Sequence, residues 1–259
     1  GADELFAGYL QSRQDYLHDR QHVGDKTFDE ERGQLRLPAE TTTWLSFVNN
    51  VLTFVPSWIK RLAIGRSIFH HLLHPDYIRH CQRHNPYQIF LDQFDIEGQL
   101  RGRERVIQSL YLWTRSILPN YSLYAERLEM AFAVEARPPF LDHKLFELVR
   151  KMPAAILIQG TQEKYILRQA MCPYLTNTVY RRHKHPFLAP PIQRNSPIDL
   201  LVQDSLRGSL LSSLPFFDRN AVIALLDRLP NIKESMRISL EPVIMMILSA
   251  CLLQRHYCL

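Results

Sequence analysis

The chain has 259 residues, 46% hydrophobic and 22% charged, an ordinary balance for a soluble globular fold of one domain or one large piece of a domain. Its formal net charge is +5 and its pI about 9.1, but it has no long lysine and arginine block. That argues against a nucleic-acid-binding tail and leaves anionic lipid or phosphate-rich small ligands as partners for the basic balance. The four cysteines, Cys81, Cys172, Cys251 and Cys258, lack CxxC spacing, so a reducing cytoplasm is expected rather than a disulfide framework.

The chain opens on Gly1-Ala2-Asp3-Glu4 with no initiator methionine and no signal peptide, so it reads as part of a longer protein. Residues 3–19 read as one helix, with Leu5, Tyr9 and Tyr16 on one face. Residues 19–40 are polar, carry Gly24, Gly33 and Pro38, and read as a connection. Thr43 to Val55 is apolar but interrupted by Asn49 and Asn50 and stopped by Pro56. It falls short of the roughly 20 residues a membrane span needs and is expected to be a buried helix. Residues 57–83 are expected to be helical. There His70 and His74 have the spacing of a zinc pair but no acidic or cysteine partner at a matching distance, so no metal is expected.

The spacing of Val106, Leu110, Trp113 and Ile117 predicts a helix over 103–118, with Pro119 as its stop. In Tyr124–Asp142 charged and apolar residues alternate too closely for a segregated helix face, most clearly in Ala133-Val134-Glu135-Ala136-Arg137. That pattern predicts partly buried polar groups that are paired or bind something. A structural ion-pair network is the plain alternative. Asp142 is placed to cap a helix that Pro153 ends.

Residues 156–159 read as a short extended piece before Gly160, and 162–171 as a helix with Lys164 and Arg168 on one face. Residues 180–191 form a basic, proline-bearing loop that cannot be regular helix. Helices are expected over 199–211, after Asp218, and over 241–256. The run 243–253 is nearly all apolar but only about three turns long, which makes it a buried helix. The chain shows no internal repeat.

Four stretches, in order, carry a resemblance: GADELFAGY at residues 1–9, YAERLEMAFAVEARPPFLD at 124–142, EKYILR at 163–168 and RRHKHPF at 181–187. They resemble the GEGxDExFxGY, DRxSMAxxxExRxPFLD, KxxLR and RxKxxF motifs of the synthetase domain of glutamine-hydrolysing asparagine synthetases. Each motif is weak alone; four in this order are specific. The resemblance implies an α/β family fold, adenine nucleotide α-hydrolase-like and Rossmann-like, whose SGGxDS nucleotide loop and most of whose parallel sheet lie upstream. Residues 1–259 would then be the predominantly α-helical, C-terminal part of that domain, without the SGGxDS loop and without the N-terminal glutaminase domain.

The implied reaction turns ATP and aspartate into a β-aspartyl adenylate and pyrophosphate on Mg²⁺, after which glutamine-derived ammonia displaces AMP to give asparagine. Asp3 matches the metal-binding carboxylate, with Glu4 beside it, although acids in a first helical turn also have a purely structural use. Lys184 matches the lysine that meets pyrophosphate, and Arg182 its partner. Lys164 and Arg168 match KxxLR near the nucleotide. Arg127 matches the arginine of the DR pair, but the residue before it is Glu126 rather than Asp, which puts its role in doubt. Glu135, Arg137 and Asp142 match ExRxPFLD as supports of the site, with Glu135 a candidate for direct contact. The family glutamate that would precede Gly1 is not in the chain, and the chain alone is expected to be inactive.

Implied partners are aspartate, ATP, ammonia and a glutaminase domain of the same protein, with a homodimer among the allowed assemblies. Nucleic acid and membrane are not expected. Two alternatives stand: a related adenylating amidotransferase or β-lactam-synthetase-like enzyme of secondary metabolism, and a degenerate synthetase-like module without catalysis.

Overall fold

Amphipathic spacing, capping residues and a scarcity of strand-forming runs give a helical chain. In this computed structural model, which describes residues 1–20, 39–81, 84–182 and 191–257, the helices are α1 (Ala2–Leu5), α2 (Leu10–Arg20), α3 (Ala39–Leu52), α4 (Ser57–His70), α5 (Pro75–Cys81), α6 (Pro86–Leu91), α7 (Arg105–Ala131), α8 (His143–Val149), α9 (Ala154–Leu157), α10 (Tyr165–Met171), α11 (Asn177–Arg181), α12 (Pro197–Arg207), α13 (Ser209–Ser212), α14 (Arg219–Arg228) and α15 (Glu234–Tyr257). Among the described residues the only β pairing is two isolated bridges, Leu73 with Phe217 and Gln159 with Gln162.

The described residues divide into two compact units. The first takes in 1–20, 49–58 and 94–182. Its core gathers Leu5, Phe6, Ala7 and Tyr16 with Val106, Val149, Leu157 and Ile158. Trp113 of α7 lies 5.3 Å from Tyr9 with the rings tilted by 50°, and meets Trp58 edge-on at 5.4 Å. Asp15 is buried and accepts from both the amide and the hydroxyl of Ser57, at 2.9 and 2.6 Å, which ties α2 to the start of α4. Asp142 caps α8, accepting from the amides of Lys144 and Leu145.

The second unit takes in 39–48, 59–81, 84–93 and 191–257. Val202 and Leu206 of α12, Val222 and Leu226 of α14 and Ile244, Ile247 and Leu248 of α15 form its core. Asp218 caps α14 through the amide of Ala221 at 3.0 Å. The apolar run in α15 buries one face only, since Met246 and Leu253 are exposed. No helix among the described residues is long and apolar enough to cross a membrane.

Several boundaries differ from the sequence expectation. The helix expected over 3–19 is two helices, separated by a turn in which Ala7 takes a left-handed backbone conformation at φ 54°. The expected 57–83 helix breaks between His70 and Pro75, and the 199–211 helix breaks at Gly208. Of the extended piece expected at 156–159, Ile156 and Leu157 belong to α9, while Ile158 is extended and Gln159 bridges to Gln162.

Pro119 does not stop α7, which runs on to Ala131. A proline costs its own amide bond, yet neighbouring carbonyls of this helix find side-chain donors: Ser116 Oγ donates to Leu112 O at 2.6 Å and Asn120 Nδ2 to Ser116 O at 3.4 Å. The helix ends instead in a Schellman motif. Ala133 takes φ 56°, the Val134 amide returns to Glu129 O at 3.0 Å and the Ala133 amide to Met130 O at 3.0 Å.

Candidate functional site

The site begins in the turn that closes α1. Gly8 donates its amide to Asp3 O at 2.8 Å, past Ala7 in the left-handed region, so this end is also a Schellman motif. The turn brings the Gly8 backbone onto the Asp3 side chain. A Cβ at Gly8 would stand 2.1 Å from Asp3 Oδ1 and 2.9 Å from Lys164 Cε. Only a glycine leaves room for what sits there: Lys164 Nζ donating to Asp3 Oδ1 at 2.8 Å, with both side chains about four-fifths buried (19% and 21% exposed).

Lys164 reaches Asp3 because its backbone is held in an uncommon shape. It caps α10 at φ 54° and ψ 36°, a left-handed conformation that costs a non-glycine residue on the order of 1–2 kcal/mol. Its neighbours fix that shape. Gln159 and Gln162 pair across a tight turn in which Gly160 takes φ 59°. Arg13 of α2 binds the Glu163 carboxylate at 3.1 Å and the Thr161 carbonyl at 3.3 Å. Arg168 Nε donates to the Glu163 carbonyl at 3.2 Å. Strain that the surroundings over-determine in this way is a feature of sites that position a side chain.

Glu4, beside Asp3, is buried. Tyr9 Oη donates to its Oε1 at 2.6 Å, and the Gly1 nitrogen lies 2.8 Å from its Oε2. Burial pushes the Glu4 carboxyl up, and the bonds from the Gly1 nitrogen and Tyr9 pull it down; in the 259 residues alone, where that nitrogen is a free amine, the group stays below its ordinary value. Burial, then the Glu4 carboxylate, push the Tyr9 hydroxyl well above its ordinary range, so it stays a donor.

A cavity of about 690 Å³ opens over this turn, lined by Asp3, Glu4 and Tyr9 on one side and by Glu126, Glu129 and Arg137 on the other. The opening motif and the Glu126–Arg137 stretch therefore share one cavity, and Lys164 reaches its edge through Asp3.

The remaining candidates lie as follows. Arg127 is exposed on α7 and has no hydrogen bond or ion pair among the described residues. Glu135 pairs with Arg137 at 2.8 Å, both exposed. Arg168 and Lys164 do not act on one face: Arg168 Nη1 donates to the carbonyls of Tyr180 and Arg182 at 2.9 and 3.0 Å and so fixes the end of α11. Arg182 enters this arrangement through its backbone. Lys184 lies outside the described residues. The polar groups expected to be buried in 124–142 are largely exposed on this chain, as are Tyr124, Leu128, Met130, Phe132 and Val134 around them. Side-chain alternation marked the stretch as unusual but could not say whether this chain or another segment covers it.

Gly8, Tyr9, Arg13 and Glu163 are functional candidates that sequence reasoning passed over. Gly8 and Tyr9 stand in the first motif and Glu163 beside the third, so adjacency was the available signal. Arg13 carried none.

Mg²⁺ takes one or two carboxylates and completes its octahedron with water and phosphate oxygens. Asp3 fits that demand, since its carboxylate already holds a cation at the edge of a large cavity. Among the described residues no group of three or more His, Cys, Asp and Glu is placed to hold a metal ion. An ion at Asp3 would therefore take its other ligands from phosphate and water.

The model of one family, asparagine synthase, matches residues 1–251. Among curated proteins the chain is 24% identical over 257 residues to an amidase, chry2, of Gibberella zeae, covering 91% of this chain and 38% of the relative. It is 32% identical over 120 residues to an amidase, chyE, of Penicillium rubens (43% of this chain, 18% of the relative). It is 32% identical over 90 residues to the glutamine-hydrolysing asparagine synthetase 3 of Bacillus subtilis (35% and 14%). The chain thus spans well under half the length of these relatives. No solved structure gives a significant match. A match over nearly the whole chain, running through the turn that holds Asp3 and the loop that holds Lys164, places this protein in the asparagine synthase family.

Proposed function

We propose that the protein to which this chain belongs makes an amide from a carboxylic acid and ATP through an acyl adenylate. In the first instance the acid is aspartate, the intermediate β-aspartyl-AMP, the nitrogen source glutamine-derived ammonia and the product asparagine. One observation carries the proposal: two motifs distant in sequence meet in the Asp3–Lys164 pair beside a cavity that Glu4 and Glu126 also line. Mg²⁺ at Asp3 would neutralise phosphate charge as pyrophosphate leaves. Lys164 and Lys184 are the ammonium groups assigned to that growing charge, with Arg127, Arg168 and Arg182 around the nucleotide and Glu126 and Glu135 as nearby carboxylates.

The exposed apolar side chains of 124–134 support a domain reading in which the upstream half, with the nucleotide loop, covers this end of α7. A glutaminase domain further upstream and a cytoplasmic setting belong to the same proposal. The experiment is ATP–pyrophosphate exchange on the full-length protein with aspartate. Aspartate-dependent exchange is expected there and none from the 259 residues alone. Full-length protein that exchanges with no carboxylic acid at all would remove adenylation.

A second reading has its own observation. Two relatives carry the name amidase, one of them aligned over 91% of the chain, and Glu126 replaces the aspartate of the synthetase pattern. An amidotransferase acting on another acid would show exchange with that acid and not with aspartate. A non-catalytic module is disfavoured by the retention of Asp3, Arg127, Lys164 and Lys184.

A further inference from the structure

Lys164 Nζ holds Oδ1 of the carboxylate that the proposed function gives to a metal. The ion pair is direct, at 2.8 Å, and about four-fifths buried. Its maintenance is built in from two sides. A left-handed backbone at Lys164, held by Arg13 and Arg168 acting on Glu163, aims the side chain. The bare backbone of Gly8 leaves the space in which the two side chains meet. A strained residue held this firmly on a carboxylate at a cavity edge is more than a surface pair.

We propose that Lys164 is a resident counter-ion of Asp3, and that it and a divalent cation compete for this carboxylate. The inference rests on the assignment of the metal to Asp3 made above. With the metal absent, the ammonium keeps a partly buried carboxylate neutralised and the turn intact. When the ion arrives it takes the carboxylate, because a doubly charged ion outbids a single charge at one anion. Lys164 is then displaced toward the cavity, where its ammonium faces the phosphate groups that accompany the ion. One residue thereby serves both states, and the ammonium is offered to phosphate only when the ion is in place. Linkage makes the competition reciprocal: whatever weakens the Lys164–Asp3 pair tightens the ion by the same factor.

The test uses the full-length protein and Mn²⁺ alone, with free ion read by electron paramagnetic resonance. Asp3→Asn should abolish the site. Lys164→Met keeps the length and removes the charge, and should tighten Mn²⁺ by at least about fivefold, the lower end of coupling between two competing occupants. A second readout needs no variant. Acylation of Lys164 by an amine-directed reagent, followed by mass spectrometry, should accelerate at saturating Mg²⁺ while other lysines keep their rates. Unchanged or weaker Mn²⁺ binding in Lys164→Met, binding that survives Asp3→Asn, or a Lys164 acylation rate that ignores Mg²⁺ would each overturn the competition. The outcome separates from that of the proposed function. Acid-dependent exchange without ion–lysine competition sinks only this inference, and competition without exchange sinks only the adenylation.

Discussion

Lys164 Nζ and Asp3 Oδ1 lie 2.8 Å apart although 161 positions separate the two residues. Nothing in local sequence pairs them; the α1 turn and the α10 cap do. The pair depends on Gly8, whose missing Cβ leaves the space for it. A methyl would strike the ends of two side chains and press on Asp3 Cα at 3.0 Å, so Gly8→Ala should cost the fold about 1–3 kcal/mol. It should nonetheless push Asp3 off Lys164. The expected result is a modest fall in the urea midpoint of the 259-residue chain, with at least a tenfold loss of acid-dependent ATP–pyrophosphate exchange in the full-length protein. Normal exchange in Gly8→Ala would show that the pair is not part of the working site.

Tyr9→Phe removes the hydroxyl that donates to Glu4, and Glu4 is only 5% exposed. A lost bond to a buried charged group costs about 1.5–3 kcal/mol. The sign with pH follows from Glu4, whose folded carboxyl titrates below 4.5. Its contribution is present above about pH 4.5 and is lost as pH falls through the lower folded value. Tyr9→Phe moves the folded value back up. Its deficit against wild type should be full at pH 7 and should narrow as the pH is lowered through the folded value, below 4.5. Urea midpoints at both pH values check this, and a deficit that is equal at both would place the effect on packing alone.

The end of α7 offers a third test. Ala133 stands at φ 56° where glycine is the usual residue, and it is exposed. Ala133→Gly should stabilise the chain by about 0.5–1 kcal/mol, because a left-handed alanine carries strain that glycine does not. A lower midpoint in Ala133→Gly would mean that the methyl group has a contact worth more than the strain.

The same alanine explains part of what the sequence left unread. A helix that ends without glycine gives no stop signal, while Pro119 within it gives a false one. The capping aspartates Asp142 and Asp218 were legible because a cap needs only its own neighbours. The four motifs were legible as a set, and the family match spans them. Their meeting was not, since Arg13 holds Glu163 from 150 positions away and carries no local pattern. The woven charges of 124–142 are largely exposed on this chain, with Glu135 paired to Arg137. Alternation records that both residue types are needed there, but it does not say which chain segment covers them.

Lys184 rests on sequence alone, since it lies outside the described residues. It stands between Arg182 and Phe187 in a stretch with prolines at 186, 190 and 191. If it meets the departing pyrophosphate, its charge acts on negative charge that grows in the transition state. Removing such a contact costs on the order of 3 kcal/mol, or about a hundredfold in rate. Lys184→Ala in the full-length protein should therefore suppress amide synthesis far more than it weakens ATP binding, while any glutamine hydrolysis persists. Lys184→Arg should restore only part of the rate, because a planar guanidinium does not place its charge where an ammonium does. Synthesis at near wild-type rate in Lys184→Ala would remove this lysine from the pyrophosphate site and leave Lys164 as the sole ammonium assigned there.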